Sequence, residues 1–292
     1  MPSTHDIRRR IKSVRNTAQI TKAMQMVAAS KMRKAQQAAL ASRPYAALMN
    51  EVLGNVAFGA GDFSHPLMEK REGNRRGLIV ISTDKGLCGG LNSNLMREAA
   101  KADKDTTLYV TAGRKAAQFV ARTKRRLVAE FTYKDAPLFS EARAISRFGR
   151  ELFLKGEVDR VDILFTNFIS TLNQKPEVRP FLPIGELKAV SVGIPHPADA
   201  EALRHDATEY DFEPGVEQVL GALLPHSLNF EVYQILLEAK ASEHSARMVA
   251  MKNATDNAKQ LIKDLTLEYN KMRQASITNE LLEIASAAMA LE

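Results

Sequence analysis

Glycine and proline are confined to the middle of this 292-residue chain. All 15 glycines lie between Gly54 and Gly221, and all 11 prolines between Pro2 and Pro225. Residues 3–43 and 226–292 therefore contain neither. Proline interrupts helices by removing a backbone donor and glycine weakens them entropically. The mean globular helix has only about 11–12 residues. Two unbroken stretches of this length predict very long terminal helices flanking a segment of ordinary composition. At about 1.5 Å per residue, the 67 residues from 226 onward would span roughly 100 Å as one helix. A compact middle domain is only about 30 Å across, so the helices are expected to project beyond it.

Composition narrows the class. Hydrophobic residues make up 45% and charged residues 26%, the balance of an ordered chain. Aromatics are 6% and Trp is absent, which leans away from an all-β architecture. One cysteine, Cys88, excludes an internal disulfide and a multi-cysteine metal site. No apolar run approaches the roughly 18 residues of a membrane span, and MPSTHDIRRR lacks the apolar core of a signal peptide. A soluble protein of a reducing compartment is expected. The net charge of +7 is concentrated: residues 1–50 carry ten Lys or Arg against Asp6 alone, whereas residues 216–292 carry seven bases and ten acids.

The first helix repeats apolar and small residues at Ile7, Ile11, Val14, Ala18, Thr21, Gln25, Ala28, Met32, Ala35 and Ala39. From Ile11 the spacing alternates 3 and 4, the seam of a left-handed coiled coil. The last helix repeats the alternation at Met248, Met251, Thr255, Ala258, Ile262, Leu265, Tyr269, Met272 and Ser276, then slips in phase to Ile277, Leu281, Ile284, Ala288 and Leu291. Such a slip marks a change of partner. One helix enters the middle segment and the other leaves it, so the pair is expected to run antiparallel. Seams of Ala, Thr and Met bury little area and predict a thin coil of moderate stability. The last 15 or so residues are expected to extend past the partner as an apolar-striped tip, the mark of an interface.

Between the helices, strands are predicted at 77–83, Thr107–Thr111, Leu127–Phe131, Val161–Phe168, Val178–Pro183 and Ala189–Val192, and helices at Asn92–Lys101, Arg114–Ala121 and Glu141–Leu154. This alternation argues for a Rossmann-like α/β domain with a mainly parallel sheet over residues 75–195, between helices at 1–55 and 208–292. The loop Ser82–Asn92 follows the first strand, where open α/β sheets bind ligands. It matches neither GxxxxGK[ST] nor GxGxxG. It is read as a glycine-rich turn with Asn92 capping the next helix, a phosphate cradle being the alternative. The six histidines are scattered without metal-ligand spacing, so no metal is expected. Nothing nominates a base for Cys88, which is read as an inert thiol, and His244 is read as a packing residue.

Three segments carry a family resemblance: Ile20–Met32 (ITKAMQMVAASKM), Gly86–Asn92 (GLCGGLN), and near the C-terminus Ser242–Met251 (SEHSARMVAM) with Tyr269–Glu280 (YNKMRQASITNE). Together they resemble the gamma subunit of a bacterial F-type ATP synthase, in order and spacing along the whole chain. Ala287 stands where the family often has Gly, which favours a helical tip by up to about 1 kcal/mol.

The resemblance implies a non-catalytic rotating shaft with no cofactor. It implies a coiled coil inside a sleeve of three alpha and three beta subunits, and an α/β domain against the epsilon subunit and the membrane c ring. It implies peripheral attachment to the cytoplasmic side of the bacterial inner membrane. Arg273, Gln274, Thr278 and Glu280 match family positions that grip the sleeve, and Met24 and Arg247 match positions near its mid-shaft contact with beta. Lys31, Arg33 and Lys34, with Lys85 and Cys88, match the surface beneath an acidic segment of beta. Tyr210, Asp211 and Glu213 are the candidates for contact with epsilon and the c ring. Two other classes were weighed. A pI of 9.4 and a basic first helix suit nucleic acid, but the basic residues are not interleaved with aromatics and no recognition fold is evident. An α/β enzyme needs a phosphate loop or an acid–base pair, and neither is found.

Overall fold

A computed structural model describes residues 4–59, 64–185, 213 and 215–289. The first helix is α1 (Thr4–Gly59) and the last is α5 (Val216–Met289). Between them lie β1 (Arg76–Ile81), α2 (Leu91–Ala100), β2 (Thr107–Ala112), α3 (Arg114–Arg122), β3 (Arg126–Phe131), α4 (Phe139–Leu154), β4 (Arg160–Phe168) and β5 (Gln174–Leu182). Both long helices run further than the breaker-free stretches, α1 through Pro44 and α5 through Pro225. An internal proline costs about 3 kcal/mol. Packing offsets it: Leu224 and Leu228 are buried around Pro225, and Tyr45, beside Pro44, packs on Phe230 and places its hydroxyl 2.6 Å from His226 Nε2.

The chain divides into two compact units, one joining residues 1–28 with 247–292 and the other comprising residues 29–246.

In the first unit the Thr21 and Thr255 hydroxyls lie 2.8 Å apart, one donating to the other, and each also lies within hydrogen-bond reach of its own helix, of the Ala18 and Met251 carbonyls. This contact fixes an antiparallel register. With Thr21 level with Thr255, equal helical rise sets Ala18 level with Ala258, Val14 with Ile262, Ile11 with Leu265, Ile7 with Tyr269 and Thr4 with Met272. The two 3–4 repeats mirror each other layer by layer. Every seam residue from Ile7 to Ala28 and from Met248 to Met272 is buried or half-buried. Ser276, expected on the seam, is exposed, as is every side chain from Arg273 to Ser286. The reason is the register: Thr4, the first described residue of α1, is already level with Met272. Among the described residues, Ile277, Leu281 and Ile284 of the expected tip are uncovered, and Leu291 lies outside them.

In the second unit the sheet has the order β3-β2-β1-β4-β5, parallel except for β5, which pairs antiparallel with β4. Successive crossovers carry the chain outward from β1 through α2 and α3, and α4 returns it to the other side of β1. The expected piece Ala189–Val192 lies outside the described residues. Strand β1 alternates its side chains between two cores. Leu78 and Val80 join Leu95, Tyr109 and Val120 under α2 and α3. Ile79 and Ile81 join Ile145 and Phe153 of α4 and six aliphatic residues of α5 from Leu220 to Leu236.

Glu231 lies on this stretch of α5, where burial raises its pKa from 4.5 to about 7 against the opposing pull of Arg179. Because the folded value is raised, the unfolded chain ionises first, and stability falls as pH rises from about 4.5 to about 7. Glu231→Gln is expected to remove this slope and to stabilise the chain by up to about 3 kcal/mol at pH 8. Urea unfolding of both chains at pH 5 and pH 8 checks it, and parallel pH slopes would refute the assignment.

Candidate partner-binding surfaces

The loop between β1 and α2 is knitted from within. Thr83 Oγ1 donates to the Lys85 carbonyl at 2.7 Å, and Asn92 Nδ2 donates to Thr83 Oγ1 at 2.8 Å and to Cys88 Sγ at 3.2 Å. Asn92 is therefore not the cap of α2. Gly90 stands at that position, and the Asn92 side chain is turned to brace the loop. The backbone N–H groups of Arg114 and Ala116, at the start of α3, donate to Asp84 Oδ1 and Ser82 Oγ at 2.9 and 2.8 Å. The loop's polar groups thus serve its own fold, and no observation supports a phosphate cradle. Gly113 permits the close approach. Its φ is +105°, and a Cβ there would lie 2.2 Å from the Ser82 carbonyl oxygen.

This bracing turns one residue outward. Leu87 has φ +63°, a strained conformation for a bulky side chain, and is 60% exposed. Cys88 is 2% exposed. As a surface contact Cys88 is thus a correction: the loop presents Leu87 and Lys85, and Cys88 lies inside, holding it. The pattern GLCGG carried a signal for Leu87 only in its crowd of glycines, which allow a turn to expose whatever stands between them.

Lys31 does not point into solvent alone. Its ammonium pairs with Asp135 Oδ2, in the loop between β3 and α4. Arg33 and Lys34 are exposed. Met24 and Arg247 are both half-buried within the helix-pair unit. Arg273, Gln274, Thr278 and Glu280 are all exposed on the tip of α5, where Thr278 Oγ1 donates to the Gln274 carbonyl at 2.9 Å and Ser276 Oγ to Glu280 Oε1 at 3.2 Å. Between them stand Ile277, Leu281 and Ile284, 47–67% exposed. Ala288 lies in the last turn of α5. Glu213 is exposed, and Tyr210 and Asp211 lie outside the described residues.

Sequence reasoning missed a second stripe on α1. Ile20, Met26 and Val27 are exposed, off the seam. Ile20, Ala23 and Val27 repeat the 3–4 spacing two residues out of phase with Ala18, Thr21 and Gln25, a signal that was legible had the off-seam apolar residues been counted. Leu282 likewise widens the apolar tip. The motif residues Glu243 and His244 are buried, and His244 Nε2 faces Asp135 Oδ1 at 3.9 Å. Among the described residues, no group of three or more His, Cys, Asp or Glu could hold a metal ion.

Comparison with known proteins bears on all of these surfaces together. The ATP synthase family model matches residues 3–291. The ATP synthase gamma chain of Opitutus terrae is 50% identical over 292 residues, covering 99% of each chain. Those of Methylacidiphilum infernorum and Desulfitobacterium hafniense are 47% and 45% identical over the full length of both chains. Among solved structures, the rotor of the Euglena gracilis mitochondrial ATP synthase shares the fold at 19% identity, with a TM-score of 0.65 over 94% of this chain and 98% of that one. A chain of the central stalk and c ring of the Tetrahymena thermophila mitochondrial ATP synthase matches at 25% identity, with a TM-score of 0.59 over 80% of this chain and 99% of that one. A helix pair with a bare tip, a five-stranded α/β unit, and full-length identity near one half agree, and the chain belongs to the ATP synthase gamma chain family.

Proposed function

We propose that this chain is the rotating shaft of its complex, coupling ion flow through a membrane c ring to ATP synthesis or hydrolysis on beta subunits. Membership of the gamma chain family makes it a central-stalk, non-catalytic subunit of an F-type ATP synthase. In the proposal its helix pair turns inside three alpha and three beta subunits, and its α/β unit rests against epsilon and the c ring. Attachment is peripheral, on the cytoplasmic side of the bacterial inner membrane. No described helix is long and apolar enough to cross a membrane.

The observation that carries this reading is the tip of α5. A helix that outruns its partner while keeping an apolar stripe is built to be covered by another chain. Apolar contact is non-directional, so it re-forms at successive angles of rotation. The directional grips of the sleeve are assigned to Arg273, Gln274, Thr278 and Glu280, and its mid-shaft contacts to Met24 and Arg247. Lys31, Arg33, Lys34, Lys85 and Leu87 are assigned to the passing acidic segment of beta, with Cys88 supporting the loop from inside. A basic surface attracts acidic levers smoothly over distance, which suits a contact in motion. Tyr210, Asp211 and Glu213 are assigned to epsilon and the c ring.

The direct test is a pull-down of the tagged chain from native membranes, with subunit stoichiometry and ATPase activity of the eluate. Two larger nucleotide-binding subunits at about three copies each, with activity, are expected from the symmetry of the sleeve. Elution alone or as an inactive homodimer would sink the proposal. Within the assembled complex, Arg273→Ala with Gln274→Ala is expected to lower proton pumping per ATP hydrolysed; unchanged pumping would remove these residues from the grip. Leu87→Gly relieves a left-handed backbone and is expected to stabilise the isolated chain by about 0.5–1 kcal/mol. The same change is expected to weaken coupling, and a chain that becomes both more stable and equally coupled would take Leu87 out of the contact.

A further inference from the structure

Along α5, residues 239–245 are buried without a break. A helix lying on a sheet buries one face; seven consecutive buried residues mean that this stretch is enclosed all round. The enclosing contacts come from opposite sides. Ser242 Oγ donates to the Thr166 carbonyl of β4 at 2.9 Å, and Ser245 Oγ donates to the Thr171 carbonyl, in the turn after β4, at 2.8 Å. Lys240, two residues before Ser242 and so about 200° away around the helix, faces the loop between β3 and α4. Its ammonium, on a side chain 2% exposed, lies 3.0 Å from Glu243 Oε2, 3.7 Å from Asp135 Oδ1 and 4.5 Å from the centre of the Tyr133 ring.

Asp135 is the residue these contacts share. One of its oxygens meets Lys31 of α1, and the other faces Lys240 and His244 of α5. Lys31 chiefly, then Lys240, holds its carboxyl below the usual range, so it stays ionised. Tyr133, two residues earlier, donates its hydroxyl to the Ser82 carbonyl at 3.0 Å, tying the same loop to the end of β1. Burying an ion pair such as Lys240–Glu243 yields little stability over an apolar pair of the same volume. What it supplies is a fixed direction: a charged side chain that is satisfied in one geometry.

We propose that Asp135 is a latch that fastens both long helices to the α/β unit, so that torque received by the sheet reaches α1 and α5 together. This rests on the shaft reading above and adds to it the place where sheet and helices are locked. Without Asp135 the loop loses its hold on α1 and keeps only the buried contacts on α5. α1 is then held less firmly to the sheet at the level of Lys31, while α5 stays fixed by its buried contacts.

The test uses the assembled complex in vesicles, with ATP hydrolysis and proton pumping measured together for Asp135→Asn, Lys31→Gln and the double variant. For Asp135→Asn, hydrolysis is expected to persist while pumping per ATP falls by up to about threefold, the limit set by losing one partly exposed charge contact. The double variant is expected to match Asp135→Asn, because the two residues form one contact. An unchanged pumping ratio in Asp135→Asn overturns the latch, and strictly additive effects assign Lys31 to the sleeve alone and overturn it equally. If Asp135→Asn chains do not assemble, Lys31→Gln decides by hydrogen exchange of residues 132–138 in the full chain. Faster exchange is expected when the latch opens, and unchanged exchange overturns it. A wild-type complex that lacks the chain or does not pump sinks the shaft reading; a coupled wild type with an indifferent Asp135→Asn sinks the latch alone.

Discussion

Between Leu220 and Leu236, α5 buries six aliphatic side chains against the face of the sheet that carries Ile79, Ile81 and Ile163. Each such side chain stabilises by about 1.5–3 kcal/mol. Together they reach the order of 10 kcal/mol, comparable with the whole stability of an ordinary domain. This stretch of α5 is thus part of the core of the α/β unit, not an appendage laid on it. The core forms around a helix whose remaining turns continue beyond residue 246 into a different environment. The sequence shows the change in the side chains themselves, from Leu and Ile to Ala, Thr and Met.

That change explains the character of the helix pair. Ala18, Ala28 and Ala258 are small, and Thr21 and Thr255 satisfy each other. Small residues bring the backbones close and bury little area, so the pairing is specific in register and modest in energy. Past Met272 the chain does the reverse and leaves large aliphatic side chains uncovered. The apolar surface that would make a stout coiled coil has been moved to the place where another chain can use it. Two polar side chains on the same tip, Thr278 and Glu280, are hydrogen-bonded within their own helix, to the Gln274 carbonyl and from the Ser276 hydroxyl.

Much of this was legible in the order of residues. The absence of Gly and Pro announced both helices, the 3–4 repeats fixed the seam, and the phase slip at Ile277 announced the tip. Alternating apolar runs located all five described strands. What was not legible depends on contacts distant in sequence. Pro44 and Pro225 end the breaker-free stretches, and nothing local reveals that Tyr45, His226 and the leucines around them carry the helices through. Asn92 read as a cap, because its bond to Thr83 exists only once the loop has closed. Cys88 and Leu87 are adjacent in sequence, and only the fold decides which of them faces outward. The enclosure of residues 239–245 was invisible for the same reason. A buried Lys240 looks like any helical lysine until Tyr133 and Asp135 arrive from the loop after β3.

The two internal prolines also bear on mechanics. Each removes one hydrogen bond from its helix, at the Leu40 carbonyl in α1 and the Gly221 carbonyl in α5. Tyr45 and His226, the residues immediately after them, touch, so both gaps fall at one level of the pair. Helix bending concentrates where the hydrogen-bond ladder is interrupted. The stiffness of the paired helices is therefore not uniform along their length. Both helices lose a ladder hydrogen bond at the proline pair, at the level that the Tyr45–His226 contact pins.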